Sequence, residues 1–259
     1  MVTMIAGPCQ HESLFQSLDI AEQCQEICDK YEVEYIFKAS FDKANRTSVN
    51  GKRGLGLHET IQDFLEIEDK LGVRLLTDVH EVEQVQYVKD IVDVIQIPAF
   101  LCRQTDLIQA ACKTDCIVNI KKGQFLAPWD VEGILSKTSE AKEVWITERG
   151  TSFGYNNLVV DFTGLQYMLM AYNCPIVYDI SHSVQRPGGN KESSGGDRSY
   201  IPGLARASSA LGITNFFIEV HPDPDNAPSD GPNMLKLEDF DRVVEDIMEY
   251  NYAEHRDNN

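Results

Sequence analysis

No stretch of this 259-residue sequence approaches the roughly 20 consecutive apolar residues of a membrane-crossing helix. Basic side chains are also scarce: 23 Lys and Arg stand against 41 Asp and Glu, for a formal net charge of -18. That shortage argues against a general nucleic-acid binder, whose phosphate contacts come from Lys and Arg, and against a protein held to anionic lipid. No nucleic-acid or membrane partner is expected. The opening run Met1 to Ala6 is too short for a signal peptide and meets Gly7-Pro8, so a cytoplasmic location is expected. The cysteines at 9, 24, 28, 102, 112, 116 and 174 are odd in number and lack zinc-finger spacing. Apart from Cys9 they read as reduced, mostly buried thiols. No G-x-G-x-x-G or Walker A run occurs, which leaves a doubly wound open sheet without its usual support. No linker or low-complexity segment interrupts the chain.

What is present is regular. With 42% hydrophobic residues, the chain can bury roughly three quarters of its unfolded surface in one large domain. Short apolar runs recur at 4–6, 35–37, 74–77, 94–97, 117–120, 144–147, 176–178 and 216–218. They are continuous rather than alternating, as in strands buried on both faces of a parallel sheet. Helical patterns lie between them, strongest over 14–31, 58–71 and 238–250. Weaker ones cover 81–89, 105–113, 130–138, 158–171 and 202–211. Eight strands alternating with eight helices predict a single-domain (β/α)8 TIM barrel over residues 1–259.

In such a barrel, chemistry belongs at the C-terminal strand ends. All eight ends are polar, more than helix capping requires. Lys38, Lys43, Arg46, Arg103, Lys121, Lys122 and Arg149 follow strands 2, 4, 5 and 6, and point to an anionic substrate with more than one charged group. Cys9, His182, Glu219 and Asp230 follow strands 1, 7 and 8, which become neighbours when the barrel closes. One thiol, one imidazole and two carboxylates suit a divalent Fe, Zn, Mn or Co ion; a small core cysteine and loop-capping acids are the plainer alternative. The excess negative charge is displaced from the cations: residues 219–259, Glu219 and Asp230 among them, hold twelve acids and three bases.

Several runs are specific. They are AGPC (6–9), FKASFDKANRTS (37–48), TDVHE (77–81), VDVIQIPAFLCRQTDL (92–107), NIKKGQF (119–125), ERGTSFGYNNLVVD (148–161), YDISHSVQ (178–185) and FIEVHPDPDNAPSDGP (217–232). With them the chain resembles the 3-deoxy-D-manno-octulosonate 8-phosphate synthases, among the phosphoenolpyruvate-dependent aldol-type synthases. FDKANR and IQIPAFLCRQTDL are particular to that family; the related heptulosonate and sialic acid synthases lack them.

The resemblance implies condensation of phosphoenolpyruvate with D-arabinose 5-phosphate, a step toward a lipopolysaccharide sugar. C3 of phosphoenolpyruvate attacks the aldehyde, water adds at C2, and phosphate leaves by C–O cleavage. It implies that Lys43, Lys121 and Arg149 hold phosphoenolpyruvate, with Gln96 nearby and Lys38 and Ser40 in support. Asn45, Arg46 and Thr47 would bind the sugar phosphate, Thr47 keeping the hydroxyl of the family's usual Ser. Gln185 joins the substrate-binding set, and Arg103 would reach the sugar phosphate of a neighbouring subunit in a homotetramer. Catalytic roles fall on Lys43, Asp78, Lys121 and His182, with the general base open among Asp78, His182 and metal-bound water. The family's metal-independent branch carries Asn where this chain has Cys9, so Cys9, His182, Glu219 and Asp230 imply the metal-dependent branch. Asp179 would orient His182 or neighbouring backbone, while His80 and His221 read as supporting side chains. The Gly- and Ser-rich residues 186–199 would form a mobile loop closing over the site.

Overall fold

The computed structural model of the protein describes residues 1–189 and 194–257. Eight parallel strands close on themselves: β1 (Thr3–Gly7), β2 (Glu34–Lys38), β3 (Arg74–Asp78), β4 (Val94–Ile97), β5 (Ile117–Lys121), β6 (Glu143–Glu148), β7 (Ile176–Asp179) and β8 (Asn215–His221). β8 returns to β1 with Ile5 opposite Phe217 and Gly7 opposite Glu219. The principal helices between and after them are α1 (Leu14–Lys30), α2 (Leu57–Leu71), α3 (Val82–Val88), α4 (Thr105–Cys112), α5 (Val131–Leu135), α6 (Phe162–Ala171), α7 (Ile201–Ala210) and α8 (Phe240–Asp257). This is the expected (β/α)8 barrel. No helix among the described residues is long and apolar enough to cross a membrane.

The continuous apolar runs have two jobs. One face of each strand fills the lumen, where Ile5, Ile36, Leu76, Val94, Trp145, Val177 and Phe217 pack together with Ile117 against them. The other face, including Met4, Phe37, Leu75, Ile95, Val118, Ile146, Tyr178 and Phe216, packs under the helices. α1 answers with Ser17, Ile20, Ala21, Cys24 and Cys28, spaced three and four apart on its buried face. All seven cysteines are free, and all but Cys174 are buried.

Two helices are shorter than the patterns predict. The 158–171 pattern begins as strand: Leu158–Val159 pairs back onto Thr151–Ser152, and the helix starts only where the Asp161 side chain accepts from Thr163 N. The intervening turn places Gly154 and Asn156 at φ 72° and 53°, a reversal that a hydrophobic pattern does not signal. α5 stops at Leu135 because the Ser136 and Thr138 hydroxyls bond back to the Gly133 and Leu135 carbonyls. A second hairpin, Gln185–Arg186 with Gly195–Gly196, follows β7. Both hairpins belong to loops at the C-terminal end of the barrel.

The opposite end is tied by charge. Arg74 donates to Glu34 at 2.5 Å, Glu34 accepts from Thr3 Oγ1 at 2.9 Å, and Asp93 accepts from Leu75 N at 2.8 Å. At the C-terminal end, β1 passes so close to β2 that only glycine fits at position 7. A Cβ there would lie 2.1 Å from the Lys38 carbonyl oxygen. Gly7→Ala is therefore expected to force the strands apart at a cost of about 1–3 kcal/mol, typical of overpacking. It also shifts Lys38 and Cys9. A melting curve and an activity assay check this; a parental midpoint with full activity would count against the close approach.

Candidate active site

Side chains alternate along a strand, so two residues beyond each lumen residue the chain faces inward again, nearer the mouth. The positions reached are Gly7, Lys38, Asp78, Gln96, Asn119, Thr147, Asp179 and Glu219. A greasy tier thus gives way to a polar one. Another two residues along β1, β5 and β6 lead to Cys9, Lys121 and Arg149. Phe217 is the floor beneath this tier: Lys121 Nζ lies 3.6 Å and Lys38 Nζ 5.5 Å from its ring centroid, with the His182 ring at 5.9 Å.

Above the floor opens a cavity of about 450 Å³. Lys38, Lys43, Arg46, Lys121 and Arg149 all line it, in a chain whose net charge is -18. Lys38 is buried and donates to Cys9 O at 3.2 Å, Ser40 Oγ at 3.1 Å and Glu219 Oε1 at 3.3 Å. Lys43 also donates to Ser40 Oγ, at 2.9 Å, and Ser40 passes its own proton toward Asp78. One hydroxyl donor and two lone pairs are thereby all used. The other Asp78 oxygen meets His80 Nε2 at 3.0 Å. Burial pushes the Asp78 carboxyl up, but the His80 hydrogen bond and the charges of Lys38 and Lys43 outweigh it and hold the group far below the usual carboxylate range.

Asp179 organises the next sector. It accepts from Lys121 Nζ at 2.5 Å, lies 2.6 Å from His182 Nδ1, and accepts from the His182 backbone at 2.9 Å. It thus orients both the imidazole and the backbone, as the sequence suggests. With Nδ1 committed to a carboxylate, Nε2 faces the other acids, 3.8 Å from Glu219 Oε1 and 4.0 Å from Asp230 Oδ2. Burial draws the Lys121 ammonium down from its ordinary value, with Asp179 opposing.

Donor atoms of Cys9, Glu219 and Asp230 lie within 4.8 Å of one another. Cys9 Sγ donates to Asp230 Oδ2 at 3.3 Å, and burial together with Glu219 pushes its thiol far up. Burial also raises Glu219, but His182, Lys38 and Lys43 prevail and hold it at about 2. Its Oε2 is buried without a hydrogen-bond partner among the described residues. A buried carboxylate oxygen with nothing to accept from, beside a thiol and an imidazole nitrogen, fits a divalent cation. Asp230 sits at φ 53° and accepts from Gln185 Nε2 at 3.0 Å; Gln185 Oε1 accepts from Arg149 Nη2 at 2.8 Å. Arg149 only donates and the Asp230 anion only accepts, so the amide has one orientation. Arg149 Nη1 is buried with no partner among the described residues.

The loop after β2 places Asn45, Arg46 and Thr47 on the cavity wall, where Arg46 holds Pro228 O at 3.0 Å and Ser229 Oγ. Gln96 accepts from Asn119 Nδ2 at 3.2 Å, and Asn119 accepts from Thr147 Oγ1 at 2.6 Å. Two of the strand-end cations behave otherwise. Arg103 is exposed and does not line this cavity. Lys122 is fully buried outside it, 3.2 Å from Glu148. His221 is tied to Glu12 and Gln16 rather than to the cavity. Pro187, Gly188 and Ser194 of the 186–199 loop line the mouth, and Asn156 Nδ2 donates to Pro187 O at 2.6 Å; residues 190–193 of that loop lie outside the described residues. Phe100 and Gln124 also line the cavity without having been singled out in the sequence. Both stand three residues past a strand end, beyond the reach of strand alternation, and only their places within IQIPAF and NIKKGQF could have flagged them.

Over residues 1–253 the chain matches the DAHP synthetase I family. Among curated proteins it is similar to the 2-dehydro-3-deoxyphosphooctonate aldolase of Rhodopseudomonas palustris, 52% identical over 251 residues that cover 96% of this chain and 88% of that one. The Nitrobacter hamburgensis protein of the same name is 51% identical with the same coverage. That of Bartonella bacilliformis is 48% identical, covering 96% of this chain and 89% of its own.

Proposed function

The chain belongs to the DAHP synthetase I family, and from that membership we propose how its own residues share the reaction. It condenses phosphoenolpyruvate with D-arabinose 5-phosphate and water, giving 3-deoxy-D-manno-octulosonate 8-phosphate and inorganic phosphate. The observation that carries the residue assignment is the convergence of five cations on one cavity of an acidic barrel. Lys43, Lys121 and Arg149 hold the phosphate and carboxylate of phosphoenolpyruvate, with Gln96 beside them; among the described residues nothing accepts from Arg149 Nη1. Lys38 and Ser40 hold Lys43 and Asp78 in place. Asn45, Arg46 and Thr47 take the sugar phosphate, with Gln185 bridging toward Asp230.

Cys9, His182, Glu219 and Asp230 would hold a divalent Fe, Zn, Mn or Co ion, placing the chain in the metal-dependent branch. When bound, the ion supplies Lewis acidity at the sugar end of the cavity. We assign catalytic roles to Lys43, Lys121, His182 and Asp78, the last held at the cavity wall by Ser40 and His80. Exposed and off its own cavity, Arg103 is read as serving a neighbouring subunit of a homotetramer in the cytoplasm. All of this belongs to one catalytic domain over residues 1–259.

The acceptor is tested by measuring phosphate release from phosphoenolpyruvate with D-arabinose 5-phosphate, erythrose 4-phosphate or an N-acetylated hexosamine in turn. Turnover is expected with the first alone. No turnover with it, or equal turnover with another sugar, would sink the assignment.

A further inference from the structure

We propose that the buried Lys122–Glu148 pair is a clasp that sets Lys121 and Arg149 in their anion-binding positions. The inference rests on the assignment of those two residues to phosphoenolpyruvate. Lys122 and Glu148 are 0% and 6% exposed, lie 3.2 Å apart, and are outside the cavity. Burying two ions is costly and seldom repaid in stability alone, so their other contacts matter.

Those contacts are with backbone, apart from one side-chain hydroxyl. Lys122 Nζ donates to Leu126 O at 3.0 Å and Gly123 O at 3.4 Å, and to Thr151 Oγ1 at 3.3 Å. Glu148 Oε1 accepts from Arg149 N at 3.0 Å and Gly150 N at 2.6 Å. One ion therefore gathers the turn after β5 and the other the turn after β6. Lys122 N further donates to Thr147 O at 2.8 Å, extending the ladder between the strands. Gly150 stands at φ 97°, a conformation that the Glu148 carboxylate fixes through its N–H.

Sequence adjacency turns this into positioning. Lys121 and Arg149 are each the covalent neighbour of one clasp residue, and both face inward from the two strand ends that the clasp joins. Moving either turn by 1 Å moves an anion-binding group by a similar amount, and misplacements of that size change reaction rates by about 100-fold. Lys122 and Glu148 are positioning residues; neither reaches the cavity.

The test uses the full-length protein and three variants: Lys122→Met, Glu148→Gln and the two combined. Each single variant leaves one buried charge unmatched, so both lower the melting midpoint. Both also raise KM for phosphoenolpyruvate about tenfold, with KM for arabinose 5-phosphate changed less than about twofold. The double variant leaves no charge at this pair and recovers most of the midpoint, yet keeps a raised phosphoenolpyruvate KM. That separation is what a merely structural pair would not give. A double variant with parental KM, or KM values for both substrates rising together in step with lost stability, would overturn the clasp. If the single variants do not fold, the double variant decides alone. Arg149→Lys tests the underlying assignment separately, by calorimetric titration of phosphoenolpyruvate. Unchanged affinity there would overturn the assignment, and with it the purpose of the clasp.

Discussion

Exhaustive chelation is expected to lower turnover at least about 100-fold, and added Fe, Zn, Mn or Co to restore it. The expectation comes from what the four side chains offer to an ion. Cys9 is a buried thiol donating to a carboxylate, Glu219 Oε2 has no hydrogen-bond partner among the described residues, and His182 turns Nε2 toward two acids. A divalent cation would be held by Cys9, His182, Glu219 and Asp230 together, with Cys9 binding as the thiolate. Cys9→Ala removes the soft donor and is expected to lower the metal retained after dialysis, measured as metal per chain. That readout does not depend on catalysis. Full activity after chelation, together with a Cys9→Asn variant no worse than the parent under the same treatment, would end the metal reading.

Lys121→Met is expected to reduce kcat/KM about 100- to 1000-fold, the usual consequence of deleting one donor aimed at developing charge. The side chain sits over Phe217 and against Asp179, where burial makes its charge costly to hold. The substitution also removes one of the cations that keep Asp179 ionised, so the orientation of His182 suffers too. Steady-state kinetics should show both a raised KM for phosphoenolpyruvate and a lowered kcat. A change under about threefold in both would remove Lys121 from the anion site.

The barrel was legible because each strand is a short apolar run bounded by polar residues, and because strands buried on both faces need no alternation. The small hairpins were not legible: two-residue strands have no period, and their turns depend on φ values at Gly154 and Asn156. Adjacent lysines show the same limit inside the site. Lys121 and Lys122 look alike in sequence, and as strand-end cations both point to an anion site. Register separates them, since alternation from Ile117 through Asn119 brings Lys121 inward and sends Lys122 behind the wall. The tie between Asp179 and His182 was legible from their spacing of three, which one helical turn at Ile180–Ser183 brings together. The chain of contacts from Arg149 through Gln185 to Asp230 spans three separate loops, and no local pattern predicts it.

Phe217 has a consequence of its own. Two ammonium groups rest over a surface that is electron-rich yet has no proton to gain or lose. Acid in solution can discharge a carboxylate beneath a lysine; it cannot discharge a benzene ring. Part of the lysines' electrostatic support is thus indifferent to pH, unlike the support of the Asp179 and Glu219 carboxylates beside them. A Phe217→Leu variant would keep the floor and remove that fixed background. Anion affinity in it should then follow acidity more steeply than in the parent.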